Sequence, residues 1–199
     1  MVRRLHLRVW DVNIMNLAIF VVAVALVRAG IAVWRMGSAW LKFRGKREIT
    51  CPENYSAAGV TIDARHAAAT ALRGEPELRL NQCSRWPEKG DCGQECLFQI
   101  ERAPQDCLVR NILVHWYAGK NCVWCGQPIG EIHLGERKPA LLTADRCSVE
   151  WNQIPADQLQ QTLATALPLC FTCHIANTMV REHPELVIDR SRPALTARK

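Results

Sequence analysis

Residues 14–34 restrict the fold of this chain more than any other stretch. Ile14 to Leu26 reads IMNLAIFVVAVAL, with Asn16 as its one strongly polar residue, and Val27 to Trp34 continues the run with Arg28 as its single charge. Twenty-one helical residues rise about 31 Å, roughly one hydrocarbon thickness. Trp10 and Trp34 bracket the stretch as an aromatic belt would, and Arg28 near its end can extend its head to the interface. The competing reading is a cleaved signal peptide with Arg3, Arg4 and Arg8 as its basic start. The apolar part is long for that role, and no small-x-small site followed by a neutral segment is evident. The expectation is an uncleaved single span, bathed in membrane lipid over residues 14–34.

Charge supports the same picture. The net charge is +6. Residues 1–50 hold nine Lys/Arg against Asp11 and Glu48, a balance of +7, and residues 51–199 come to −1. The basic excess therefore belongs to the membrane edge, and the near-neutral remainder offers no phosphate-binding surface, so no nucleic-acid partner is expected. Arg35, Lys42, Arg44, Lys46 and Arg47 follow the span with no acidic residue before Glu48. The positive-inside rule then predicts an inner (cytoplasmic) membrane protein of bacterial style, with its C-terminal domain in the cytoplasm.

The expected organisation is an anchor over 1–34, a basic juxtamembrane linker over 35–47, a cysteine-rich α+β subdomain over 48–118, a second subdomain over 119–190 and a disordered tail over 191–199. Val60–Ile62 and Leu78–Leu80 read as short strands, and Ala64–Leu72 as an Ala-rich helix ended by Gly74. Gln94–Arg102 reads as a helix stopped by Pro104. Asp106 is a candidate N-cap for a helix running to Trp116. Residues 122–134 suggest a hairpin around Gly126 and Gly130. Residues 157–167 and Ile175–Glu182 read as helices ended by Pro168 and Pro184.

Ten cysteines are too many for packing alone. Two pairs stand out: Cys122-Val123-Trp124-Cys125-Gly126 and Cys170-Phe171-Thr172-Cys173-His174. A CxxC turn aims two thiolates at one point, half of a tetrahedral site, and two such knuckles complete a four-cysteine site for zinc or iron. Gly126 permits the positive φ such turns often need. The second knuckle precedes a helix, whose N-terminus favours thiolate charge. The 44 residues between the pairs exceed a simple ribbon loop, so an inserted element is expected. The bland alternatives are local disulfides or buried free thiols.

These pieces, with Glu131-Ile132-His133 between them and Leu169 before the second knuckle, resemble a treble-clef zinc finger of the HNH type over residues 119–183. In that family the strand His, here His133, would be the general base, and the helix His, here His174, would bind a catalytic metal. The strand carries one His where a pair is usual, no Asn takes a clear middle position, and the basic excess needed to hold DNA is missing. The resemblance therefore implies the zinc scaffold without the nuclease.

A second constellation, Cys83, Cys92, Cys96 and Cys107, places four thiols in 25 residues. Cys92 and Cys96 are i, i+4 and would share a helix face. A second zinc or an iron–sulfur cluster is the corresponding expectation, with Cys51 as a substitute ligand and Cys147 left over. Cys170, Cys173 and His174 also match the attachment pattern of c-type haem, with Met179, His183 or His133 as sixth ligand. That alternative requires a periplasmic domain. No phosphate loop, nucleophile elbow or dinucleotide fingerprint is present. The chain is expected to be a zinc-binding adaptor or accessory protein beside a membrane or respiratory partner, more readily a binder than an enzyme. Electron transfer through an iron–sulfur cluster or haem c is the rival, and an HNH-like nuclease the third reading.

Overall fold

The structure is a computed structural model that describes residues 2–86, 88, 90–132 and 139–186, with the side chains of residues 2–14 left out of the description. The fold is α+β, as expected: a long apolar N-terminal helix precedes a mixed helix-and-sheet region rich in cysteine. The chain forms two compact units, one of Met1–Lys46 with Val60–Gln105 and the other of Arg47–Gly59 with Asp106–Lys199.

The first unit opens with α1, Val2–Phe43. Over Met15–Phe43 its most apolar window has a mean hydropathy of 2.4, and none of that window is buried. Every residue from Met15 to Ile31 is exposed. A helix that is apolar on all sides and touches no protein suits a bilayer. Among its described side chains the buried ones lie in the last turns: Ala39 and Phe43 are buried where α1 runs beside α2, Ala64–Thr70, whose Ala67 and Ala68 are buried too. The stretch expected as a basic linker, 35–47, is thus mostly helix. Gly45 ends it at φ +104, a conformation open to glycine, and β1, Lys46–Thr50, begins one residue later.

Asp63 caps α2. Its Oδ1 accepts the His66 backbone N–H at 3.0 Å, and its Oδ2 takes the Arg79 guanidinium at 2.7 Å. The His66 N–H first, then Arg79, hold the Asp63 carboxyl below the usual carboxylate range. Strand β2, Ala57–Ile62, passes from one unit into the other. Its second half pairs antiparallel with β3, Leu80–Cys83, with Val60 opposite Cys83. Helix α3, Leu97–Arg102, buries Ile100 completely.

The second unit holds α4 (Val109–Tyr117), β4 (Ala140–Leu142), β5 (Ser148–Glu150), α5 (Leu159–Thr165), β6 (Leu167–Leu169) and α6 (Phe171–Glu182). Its sheet has the order β5-β4-β6, antiparallel throughout. Pro168 is tolerated because β6 is an edge strand. Val109, Leu113 and Tyr117 from α4 pack with Leu141, Leu159, Leu163 and Ala166 to form the core. The 109, 113, 117 spacing places one face of α4 inward. Leu108 caps α4, not the expected Asp106, and residues 122–132 form turns with one isolated bridge, Asn121 to Pro128, in place of the expected hairpin. The expected disordered tail lies outside the described residues.

The buried Tyr117 hydroxyl donates to the Ala140 carbonyl at 2.8 Å, and burial holds this phenol above its ordinary range. Tyr117→Phe deletes that donor and leaves the ring in place. It should cost about 1 kcal/mol, read as a lower urea midpoint with an unchanged slope.

Candidate metal centre

The first knuckle follows α4. Gly119 at φ +70 redirects the chain after Tyr117, and the Cys122 N–H donates to the Gln127 carbonyl at 2.9 Å. The Gly126 N–H closes the turn on the Cys122 carbonyl at 2.9 Å, with Gly126 at φ +71 as its spacing requires. The second knuckle is set by the sheet. β6 pairs with β4 through Leu169 opposite Ala140, so Cys170 emerges one residue past the strand and caps α6 with extended backbone, φ −73 and ψ 160. Two bonds tie the knuckles together. Val123 N–H donates to the Pro168 carbonyl at 3.0 Å, and Cys170 N–H donates to Cys122 Sγ at 3.4 Å. The 44-residue insertion expected between the pairs is β4, β5, α5 and β6 together.

The result is a single pocket of sulfur. The Sγ atoms of Cys122, Cys125, Cys170 and Cys173 all lie within 4.8 Å of one another, and Cys125 and Cys170 are 3.8 Å apart. Cys122 is buried, Cys170 and Cys173 are half-buried, and Cys125 is exposed. With metal–sulfur bonds of about 2.3 Å, a tetrahedron has edges of about 3.8 Å. The four cysteines therefore fit one mononuclear ion.

The electrostatics ask for a cation. Burial alone would raise the Cys122 thiol, but the N–H groups of Cys125, Cys170 and Trp124 outweigh it and bring the thiol down to about 6. Cys173 is pushed up by burial and then by hydrogen bonds with Cys170, Cys122 and Cys125. Cys170 is likewise raised, chiefly by burial. One thiolate forms readily here and its neighbours resist a second charge, a conflict that a bound dication resolves.

His174 is buried, and its ring nitrogens meet β5. Its Nδ1 is 2.9 Å from Ser148 Oγ, and its Nε2 is 3.9 Å from Glu150 Oε1. Ser148 and Glu150 sit two apart on β5 and so share one strand face. Neither residue stands out in the sequence, where a three-residue strand leaves too little alternation to detect. His133 lies outside the described residues.

Of the second constellation, Cys83, Cys92 and Cys96 belong to the first unit and Cys107 to the second. Among the described residues the one group of three or more metal-ligand side chains is the Cys122 set. The helix expected to align Cys92 with Cys96 is interrupted: Gln94 has φ +56, α3 starts only at Leu97, and Cys96 is its cap. The Gln94 N–H instead donates to Cys92 Sγ at 3.4 Å. Cys107 belongs to the second unit, where it lies against the buried Arg47 guanidinium. Burial raises its pKa, and Arg47 only partly offsets that. The half-buried Cys147 and the buried Cys51 likewise stand outside the group.

Comparison with protein-family models, with curated proteins and with solved structures gives no match.

Proposed function

We propose that this chain is a membrane-anchored metalloprotein whose Cys122, Cys125, Cys170 and Cys173 hold one structural zinc. On this reading it serves as an adaptor or accessory protein at the membrane face. The convergence of four Sγ atoms within 4.8 Å carries the reading. Closed four-thiolate sites are structural, because no position is left for water or substrate. A knuckle, the β4–β5 hairpin and a helix start bearing the second ligand pair follow in that order, with α5 and β6 inserted before the helix, and this supports a treble-clef description of residues 119–190. The apolar, uncovered surface of α1 supports the anchor over residues 14–34, and the charge that follows it supports a cytoplasmic domain.

The rival chemistries fit less well. A multi-iron cluster needs its thiolates spread around an inorganic core, whereas a 3.8 Å Sγ–Sγ separation suits a single ion. Haem c would take Cys170 and Cys173 as thioethers and His174 as axial ligand, yet His174 is buried against Ser148 and Glu150. The same pairing leaves His174 poorly placed for the catalytic metal of an HNH-type nuclease.

Elemental analysis of the chain purified in mild detergent, with a visible spectrum, tests the assignment. The expected result is about one zinc per chain and no visible bands. Stoichiometric iron with haem or cluster absorption would replace the scaffold by an electron carrier. A single iron without haem or cluster bands would keep the four-cysteine site and change its metal, since tetrahedral thiolate ligation suits both.

A further inference from the structure

Helix α6 is built inside out. Its inward side carries Cys173, the buried His174 and Asn177, whose Nδ2 donates to the Arg146 carbonyl at 3.5 Å. Its outward side carries Phe171, Ile175 and Met179 at i, i+4 and i+8, flanked by Val180, and these are 37%, 44%, 46% and 52% exposed. From Phe171 to Val180 there is no Asp, Glu, Lys or Arg. A helix on a water-facing surface normally shows the opposite pattern. Exposed apolar residues also precede α6 in the chain. Leu167, at the start of β6, is 48% exposed, and the bond from Val123 N–H to the Pro168 carbonyl brings the knuckle tip with Trp124, 49% exposed, beside that strand. An exposed apolar stripe of this kind marks an interaction site.

We infer that this face of α6 lies on a lipid surface, its apolar stripe seated at the boundary between headgroups and acyl chains. The inference rests on the reading of α1 as a membrane span. Two observations favour lipid over a protein partner or a second copy. The first is the tether: a chain held in the bilayer by α1 meets lipid at high effective concentration, so a weak one-helix contact suffices. The second is charge. Residues 181–199, which follow the apolar face in sequence, hold five Lys/Arg against Glu182, Glu185 and Asp189, a balance of +2 with the basic residues gathered at 190–199, and residues 28–47 are basic as well. An apolar helix face followed by a cationic segment supplies both signals that peripheral attachment to an anionic leaflet needs.

The four methionines provide the readout. The full chain, loaded with metal and carrying 13C-methyl methionine, is placed in nanodiscs containing phosphatidylglycerol and a lipid spin-labelled high on its acyl chain. Met15, on the exposed surface of α1, reports insertion of the span, and Met179, its peak assigned with Met179→Leu, reports the α6 face. The expected result is that both methyl signals lose most of their intensity. Ile175→Ser, with metal content confirmed, should restore much of the Met179 signal and leave Met15 unchanged. A broadened Met15 beside a Met179 at full intensity would overturn the inference alone, whether the stripe is bare, covered by a second copy or held by another protein. Broadening of Met179 that ignores Ile175→Ser would also overturn it. An unbroadened Met15 would instead refute the span, and the inference would fall with it.

Discussion

Cys170→Ser should empty the metal site and unfold the sheet and helix around it. Cys170 is both a candidate ligand and the cap of α6, and its N–H is bonded to Cys122 Sγ. Removing one thiolate leaves three ligands and an open position. Structural zinc in small domains contributes apparent binding free energy of about 10 kcal/mol or more, which is folding free energy because no site exists in the unfolded chain. A domain of this size has a net stability of only about 5–15 kcal/mol, so the loss is comparable to the whole. The variant should hold less than about a tenth of the metal of the parent chain. Amide protons of β4 and α6 should lose their protection and exchange at close to the rates of an unfolded chain. Cys147→Ser is the matched control, since Cys147 lies outside the sulfur group and should keep full metal and full protection. A Cys170→Ser chain with normal metal content and protected amides would show that Cys170 is not a ligand and that the fold does not depend on a metal held there. Chelation at pH 7 should mimic the substitution. Acid should do so as well, because the ligands must be deprotonated and metal binding releases protons: stability conferred by the ion is present at neutral pH and lost as pH falls and protons compete for the thiolates.

The parts of this site that can be read in the sequence are those encoded locally. A CxxC pair followed by glycine specifies a turn within five residues, and both knuckles are visible from their CxxC spacing. What joins them depends on register, which is a non-local property. Ala140–Leu142 and Ser148–Glu150 are three residues each and show too little alternation to be read as strands, yet β4 aligns Leu169 with Ala140 and so delivers Cys170. The start of α6 is hidden for a related reason: Phe171 to His174 reads as a knuckle, and the extended cap at Cys170 is set by β6 before it. The Cys83–Cys107 constellation rests on sequence proximity, which says nothing about the backbone between the thiols: one residue at positive φ, Gln94, separates Cys92 from the helix that Cys96 caps. Composition is enough to find α1, where the apolar character is continuous and independent of tertiary context, but its extension through the basic residues to Phe43 depends on packing against α2.

Val22→Arg together with Val24→Arg should release the chain from the membrane with its metal centre intact. Both valines lie near the middle of residues 14–34 and are 57% and 41% exposed, so the substitutions remove little packing in the first unit. In a bilayer the cost is large. An arginine at the centre of an inserted helix costs about 2.5–3.5 kcal/mol on insertion scales, so the pair disfavours insertion by about 5–7 kcal/mol, or roughly a thousandfold and more. The parent chain should stay with membranes after alkaline carbonate extraction and retain the mass of its N-terminal residues. The double variant should move to the soluble fraction or form aggregates through the rest of α1, with the same metal content per chain as the parent, because all four cysteines belong to the other compact unit. A parent chain that emerges without residues 1–34 would identify the segment as a signal sequence. A double variant that stays in carbonate-washed membranes would show that attachment does not depend on insertion of α1.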